Sequence, residues 1–227
     1  MRKVDEKKSA STLTFMTGDA SGSLGTRQER KLRTRQALLD AALRLLADGS
    51  LASLSLREVT REVGIVPTAF YRHFASMDEL GVALAEESMR TLRAMLRDAR
   101  RKPTDDAISG SVAILVDQVR KHESHFQFLV RERYGGVADV RRAIATELRL
   151  LGSELATDLA RFPGMAEWDP DDLRMAADLM VAGMLSIVMA LLEVGPHPQG
   201  LAEVVDVAER QLRLIAIGMV HWHSTPR

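Results

Sequence analysis

The chain has 227 residues, of which 46% are hydrophobic and 4% aromatic, and its 31 Lys and Arg balance 31 Asp and Glu. This length allows one or two domains with a sizeable buried core. Because the chain has no cysteine, disulfides, thiolate metal sites and cysteine nucleophiles are excluded, and a reducing, cytoplasmic location is expected.

The balanced charge conceals an asymmetry along the chain. Residues 1–77 hold 13 Lys and Arg against 8 Asp and Glu, a net of +5, and residues 78–227 carry the opposite net charge. Such an asymmetry favours a nucleic-acid-binding end joined to a module with a different partner.

Residues 1–26 combine Ser, Thr, Gly and charged residues without apolar periodicity, which predicts a disordered arm with no signal peptide. From Arg27 onward Leu, Ala and Met recur at spacings of three and four, and no stretch alternates as a strand would. The pattern predicts an all-α protein. The predicted helices span residues 29–47, 55–63, 67–74, 78–101, 105–123, 125–133, 137–161, 171–194 and 201–222.

The two short helices near residue 60 have clear start and stop signals. Ser55 and Glu58 have the Ser-x-x-Glu spacing of a capping box, and Gly64 ends the helix that follows. Pro67 suits the first turn of the next helix, because its missing N–H has no intrahelical partner there. The tight turn between them predicts a helix-turn-helix.

In a helix-turn-helix the second helix enters the major groove of DNA. Thr68, Tyr71 and Arg72 lie on one face at spacings of three and four, where Thr68 can contact a base edge or a thymine methyl group and Arg72 a guanine. Phe70 and Phe74 lie on another face, where burial is expected.

The stretch from Ser55 to Leu80 resembles the DNA-binding domain of the TetR family of bacterial transcriptional repressors. The resemblance is carried by the glycine turn, by Phe70-Tyr71-Arg72-His73-Phe74 and by Asp78-Glu79-Leu80, and it extends over residues 29–101. After the disordered arm (1–26) predicted above, it implies a three-helix DNA-binding domain (27–77), a linking helix (78–102), and a C-terminal helical domain for ligand binding and dimerisation (103–227).

The resemblance also implies contacts with a palindromic operator in double-stranded DNA. The family often has a phosphate-binding Lys at the position of Met77, which cannot supply that charge, so the basic first and second helices are expected to carry more of the phosphate contact. The phosphate candidates are Ser55, Arg33, Arg35 and Arg57. The candidates in and before the recognition helix are Val66, Pro67, Thr68, Tyr71, Arg72 and His73.

The last two predicted helices are apolar on more than one face, which favours a homodimer with a four-helix interface. Leu179–Leu192 is an uncharged run, but it is shorter than the roughly 18 residues of a membrane span. It predicts a buried helix of a soluble core and no membrane partner.

Leu54–Ser88 together with Phe126–Arg133 resembles the branch of the family that regulates unsaturated fatty-acid synthesis and fatty-acid desaturases. This resemblance implies a long-chain acyl-coenzyme A effector and lipid-metabolism target genes. Arg131 and Arg133, which follow Phe126 and Phe128, are expected either to pair with Glu132 or Asp residues or to hold a coenzyme A phosphate. Flexible Met side chains suit a pocket for such a ligand. The ligand candidates are Phe126, Phe128, Arg131, Met180 and Met184.

Other functions receive less support from the sequence. No phosphate loop, His-Glu-x-x-His motif or nucleophile elbow is present, so neither an enzyme nor a cofactor is expected. His122 and His125 have a spacing that suits two metal ligands, but without converging carboxylates no metal site is expected. The alternatives are a sensor of drugs or other hydrophobic compounds that controls efflux or degradation genes, and a helical lipid- or acyl-carrier-binding protein.

Overall fold

A computed structural model of the protein describes residues 20–47, 49–100 and 107–224. These residues form nine α-helices and one short 3-10 turn, Leu51–Ser53, and they contain no β-strand, which confirms the predicted all-α class. The helices are α1 (Ala20–Leu45), α2 (Leu56–Val63), α3 (Pro67–Phe70), α4 (Met77–Arg100), α5 (Ala107–Lys121), α6 (Glu123–Glu132), α7 (Ala138–Leu159), α8 (Pro170–Val194) and α9 (Pro198–Val220).

Three predicted boundaries are wrong by three residues or more, and one of them is the start of α9, which lies at Pro198 rather than Leu201. Helix α1 begins at Ala20, so residues 20–26 are helical although they were expected to belong to a disordered arm. Extending an existing helix adds one hydrogen bond for each residue that is fixed, so a polar segment continues a helix that it would not nucleate. Residues 1–19 of the predicted arm lie outside the described residues. Helix α3 ends at Phe70 rather than Phe74.

The predicted capping signals are confirmed. The Ser55 side chain accepts a hydrogen bond from the Glu58 N–H, and the Glu58 carboxylate accepts one from the Ser55 N–H, which completes a capping box. Gly64 ends α2 with φ of 74°, a left-handed conformation that glycine adopts without strain.

The larger of two hydrophobic core clusters among the described residues runs through both halves of the chain, and the smaller one joins Leu159 of α7 to Leu173 and Ala177 of α8. The larger cluster joins Leu38 of α1, Phe70 of α3 and Leu84 of α4 to Ile144 of α7 and Ile187 of α8. The N-terminal helices therefore pack on the same core as the C-terminal ones, and α4 belongs to both groups of helices.

The C-terminal helices form a layered bundle in which α7 packs against α4 and α8, and α9 packs against α5 and α8. Apolar side chains remain exposed along α8 and α9. On α8 these are Met175, Leu179 and Met189, and on α9 they are Val207, Leu214, Ile217 and Val220.

Helix α8 is also long and apolar enough to cross a membrane, with a mean hydropathy of 2.1 over its most apolar window. One third of that window is buried inside the protein, and the core helix of a soluble protein meets the same criteria. Because α8 buries Ala177, Val181 and Val188 in the bundle, its apolarity is explained in part by packing.

Candidate nucleic-acid interface and ligand cavity

The helix-turn-helix is fixed by burial of its aromatic residues. Phe70 is 0% exposed, Phe74 is also buried, and their rings lie 5.7 Å apart. Ile65 donates its N–H to the Thr60 carbonyl at 3.0 Å, which closes the turn between α2 and α3. The burial of these two rings therefore fixes the orientation of α3.

Other residues of this segment are exposed and include apolar groups. Val66 is 64% and Tyr71 is 62% exposed, and Pro67, Thr68 and Arg72 are exposed beside them. Exposed apolar groups on a closely packed domain are typical of a contact surface. The structure thus brings these five predicted DNA-contacting residues together on one surface, here called the recognition surface.

Although α3 ends at Phe70, the residues of the recognition surface stay close together. The Arg72 N–H donates to the Ala69 carbonyl at 3.2 Å and the His73 N–H to the Phe70 carbonyl at 2.8 Å, so the chain continues as a helical turn. Thr68, Tyr71 and Arg72 keep their spacing on one face.

His73 lies at the edge of the recognition surface and is half-buried. Burial is the main cause that lowers the pKa of His73, and the positive charges of Lys31, Arg35 and Arg72 lower it further. Its Nδ1 atom is buried without a hydrogen-bond partner among the described residues. The lowered pKa favours the neutral imidazole near pH 7, so His73 offers a neutral donor or acceptor at this edge rather than a cation.

Arg35 has a structural role that the sequence did not reveal. Its guanidinium donates to the His73 carbonyl at 2.9 Å and lies 4.1 Å from the centre of the Phe74 ring. Both contacts hold α1 against the residues that follow α3. The predicted phosphate contact of Arg35 is therefore secondary to this structural role. Arg33 and Arg57 are exposed and form no ion pair with a described residue, so their charges are available for phosphates.

The start of α4 is capped by side chains on either side of Met77, which is half-buried against the core. The Ser76 hydroxyl accepts from the Glu79 N–H at 3.1 Å, and the Glu79 carboxylate accepts from the Ala75 N–H at 2.5 Å. The Ser-x-x-Glu spacing of residues 76–79 could have predicted this cap. Met77 thus has a packing role where the family often has a cation.

A large apolar cavity of about 460 Å³ lies in the C-terminal bundle, with walls from every helix from α4 to α9. Its volume is in the range of pockets for drug-sized ligands. Phe126, Met180 and Met184 line it, as predicted, while the described polar lining residues are Ser111, Gln118 and Asp158.

Two predicted ligand residues lie elsewhere. Phe128 is buried in the core. Arg131 faces the N-terminal helices, where its guanidinium donates to the carbonyls of Leu46 at 2.7 Å, Ala47 at 3.2 Å and Gly49. A guanidinium satisfies these carbonyls because the last turn of a helix has no intrahelical donors for them.

The next residue completes a link between the two groups of helices. The Glu132 carboxyl group is 1% exposed, and its Oε1 atom accepts the Leu51 N–H at 2.8 Å. Arg131 and Glu132 together form what we call the α6 clamp on the loop between α1 and α2. Phe126 lines the cavity less than two turns before the α6 clamp, so one short helix contacts both the cavity and the DNA-binding helices.

The histidine pair on α6 serves packing in this structure. The His125 Nδ1 atom lies 2.9 Å from the Ser88 hydroxyl, and burial is the main cause that lowers the pKa of His125. Within the described residues, no group of three or more His, Asp or Glu side chains is arranged to hold a metal ion.

These features define a helical DNA-binding protein with an internal ligand cavity. Two family models match the chain: bacterial regulatory proteins of the tetR family over residues 38–84, and a tetracyclin repressor-like C-terminal domain over residues 103–218. The chain therefore belongs to the TetR family of bacterial transcriptional regulators, as the helix-turn-helix motif predicted. The matched proteins are regulators rather than enzymes.

Solved structures with the same fold support this assignment. The fatty acid degradation regulator FadR from Bacillus halodurans is 14% identical, with a TM-score of 0.63 over 79% of this chain and 94% of that one. FadR from Bacillus subtilis in complex with stearoyl-CoA is 16% identical, with a TM-score of 0.58 over 81% and 98%. The multidrug binding protein EbrR, complexed with imidazole, is 20% identical, with a TM-score of 0.53 over 78% and 93%. At these identities the likeness concerns the fold.

Proposed function

We propose that this protein is a cytoplasmic, homodimeric repressor that binds a palindromic operator and is controlled by an apolar effector in the large cavity. The observation that carries the proposal is the position of this cavity. Its walls include Leu92 of α4 and Phe126 of α6, and both helices continue to the DNA-binding helices. A ligand that changes the packing of these walls therefore acts on the recognition surface through either helix.

The exposed apolar side chains of α8 and α9 support the homodimer. Leu214 and Ile217 lie three residues apart on α9, and Val207 lies two turns before Leu214, so the three share one face. Pairing α8 and α9 with the same helices of a second copy covers this face. A dimer that contacts successive major grooves requires its two recognition surfaces to lie about 34 Å apart.

Regulation then follows from a shift between two arrangements of the dimer. An effector that binds the DNA-incompatible arrangement more tightly releases the operator. Moving the population almost completely from one arrangement to the other requires a difference in binding free energy of roughly 5 kcal/mol.

We propose a long-chain acyl-coenzyme A as the effector and lipid-metabolism genes as the targets. The Phe126 and Met side chains of the cavity suit a flexible acyl chain. The structural neighbour from Bacillus subtilis, which is complexed with stearoyl-CoA, supports the same class of ligand.

A sensor of hydrophobic drugs is the second candidate, and one observation favours it. The described lining of the large cavity contains no Lys, Arg or His, and its carboxylate, Asp158, pairs with Arg161 at 3.6 Å, which suits a hydrophobic compound without a negative charge. Titration of the protein–operator complex with palmitoyl-CoA and with a cationic dye such as rhodamine 6G, at fixed salt, separates the two candidates. Release of operator by only one of them identifies the class of effector.

DNA binding is tested by selecting duplexes from a random pool and footprinting the selected site. We expect a palindromic protected site, a loss of about 1–3 kcal/mol of binding free energy for Arg72→Ala, and a smaller loss for Tyr71→Phe. The matched control is Arg142→Ala, an exposed arginine of α7 paired with Asp139.

If each dimer neutralises about eight phosphates, log affinity falls against log salt with a slope near −7. An unprotected duplex or a flat salt response would contradict the proposal.

A further inference from the structure

A second, smaller cavity of about 50 Å³ lies next to the large one and differs from it in charge. Most of its lining is apolar, but Arg133 and Tyr134, at the end of α6, are also part of it. Tyr134 is 77% exposed, so this end of the cavity opens to solvent. The small cavity therefore has an apolar interior and a cationic mouth.

The Arg133 guanidinium is available to an anion. Its carbon atom lies 5.3 Å from the centre of the Tyr134 ring, and the guanidinium forms no ion pair with a described residue. Its neighbours differ in this respect, because Arg131 is bound to the loop after α1 and Arg93 is paired with Glu147. A half-buried guanidinium beside an aromatic ring is suited to a carboxylate or a phosphate, which it binds through two parallel hydrogen bonds.

The two cavities share one wall. Leu92, Phe126, Leu151 and Met184 line both of them, and all four side chains are apolar. Met has three rotatable bonds and changes conformation at little cost, so displacement of Met184 is enough to widen the passage between the cavities. The shared wall is therefore the place where a narrow apolar chain passes from one cavity to the other.

We infer that Arg133 and Tyr134 form the head-group site for a long-chain anionic ligand whose apolar chain passes the shared wall into the large cavity. This inference rests on the proposed effector cavity and specifies which end of the ligand lies where. The described walls of the large cavity offer no cation, so the anionic end stays at Arg133 and the chain fills the apolar space. The chemistry at Arg133 fits either the carboxylate of a fatty acid or the phosphates of its coenzyme A thioester.

The test compares Arg133→Gln with Arg142→Gln, an equivalent change at an exposed arginine of α7. The ligands are palmitate, palmitoyl-CoA and 1-hexadecanol, which share a sixteen-carbon chain but differ at the head. Their affinities are measured by calorimetry and by the fluorescence of Trp168, which packs against the same apolar cluster as Met180 and Met219 of the cavity.

We expect wild type to bind the anionic ligands more tightly than hexadecanol. Arg133→Gln weakens anion binding about tenfold or more, Arg133→Lys restores part of it, and neither changes the affinity for hexadecanol.

Loss of affinity for palmitate identifies a carboxylate site, and loss for palmitoyl-CoA alone identifies a phosphate site. Equal binding of hexadecanol and palmitate by wild type, or an unchanged anion affinity in Arg133→Gln, overturns the inference and leaves the apolar effector cavity standing. If none of the three ligands binds while the operator is still bound, both the inference and the acyl effector are overturned, and DNA binding is not.

Chain length tests the path past the shared wall. Met184→Phe places a stiffer side chain in the passage, so it weakens palmitate binding several-fold and octanoate binding less, because less of the shorter chain passes the wall. Equal effects on the two acids contradict the path. Circular dichroism of Met184→Phe verifies that the helical fold is retained.

Discussion

Phe70 in the helix-turn-helix is completely buried, whereas Phe162, which follows α7, is exposed while it lines the large cavity. The contrast extends to the helices around them. Leu38, Ala41 and Ala42 of α1 are fully buried, but Ala208 is the one buried residue recorded among the described residues of α9. The N-terminal helices thus complete their core within one chain, and the C-terminal helices leave both an internal volume and an outer apolar face for other molecules.

The largest expected effect comes from truncating these two phenylalanines. Phe70→Ala removes a completely buried ring and lowers the free energy of unfolding by about 3–5 kcal/mol. Phe162→Ala removes a ring that is already exposed and lowers it by less than about 1 kcal/mol. Urea denaturation followed by circular dichroism, at one protein concentration, measures both variants. Similar losses for the two variants would contradict the difference in packing between the two regions.

The exposed face of α9 gives the second prediction. Leu214 is 72% exposed in the single chain, so Leu214→Glu leaves the fold of the protomer intact but places two carboxylates in the proposed two-fold interface. Each substitution acts twice in such an interface, so we expect dimer dissociation to increase by about a hundredfold or more.

Sedimentation velocity over a range of concentrations measures this effect, with Ala145→Glu, at an exposed position of α7, as the control for added charge. Operator affinity should fall together with dimerisation, because one protomer contacts only half of a palindrome. A variant that remains dimeric would place the dimer interface elsewhere.

Local signals explain how much could be predicted from the sequence. The cap at Ser55, the glycine turn at Gly64 and the proline at the start of α3 act within a few residues, so they are visible in one stretch of sequence. The exposed positions of Val66, Thr68 and Tyr71 follow from the same helical periodicity.

Contacts between distant residues could not be predicted in this way. Arg35 belongs to a basic cluster that suggested phosphate binding, yet its guanidinium binds the His73 carbonyl, 38 positions later in the chain. Arg131 suggested a coenzyme A phosphate because it follows two phenylalanines, but its partners are the carbonyls at the end of α1. A charged side chain has the same appearance in a sequence whether its partner is a ligand or a distant backbone group.

The α6 clamp gives the smallest of the three predicted effects, and it tests how the two regions communicate. Arg131→Met removes the guanidinium that binds the carbonyls of Leu46 and Ala47, and Glu132→Gln replaces the carboxylate that accepts the Leu51 N–H by a neutral acceptor. Since hydrogen bonds to charged groups are worth about 1.5–3 kcal/mol and Arg131 is partly exposed, we expect operator binding to weaken by about 1–2 kcal/mol in Arg131→Met and by less in Glu132→Gln. Arg120→Met, at an exposed arginine of α5, is the control.

The ratio of operator affinities with and without palmitoyl-CoA shows whether the α6 clamp transmits the effector signal. If α6 carries the signal, the ratio falls toward one in Arg131→Met. The hydrogen bonds of Arg131 to the loop after α1 are lost in this variant, so a movement of α6 at Phe126 is no longer transmitted to that loop. Operator affinity that falls with an unchanged ratio would show that the α6 clamp only positions the DNA-binding helices, and the signal would then pass through α4. By linkage, the operator must change palmitoyl-CoA affinity by the same factor in each variant, which gives an independent measurement of the same coupling.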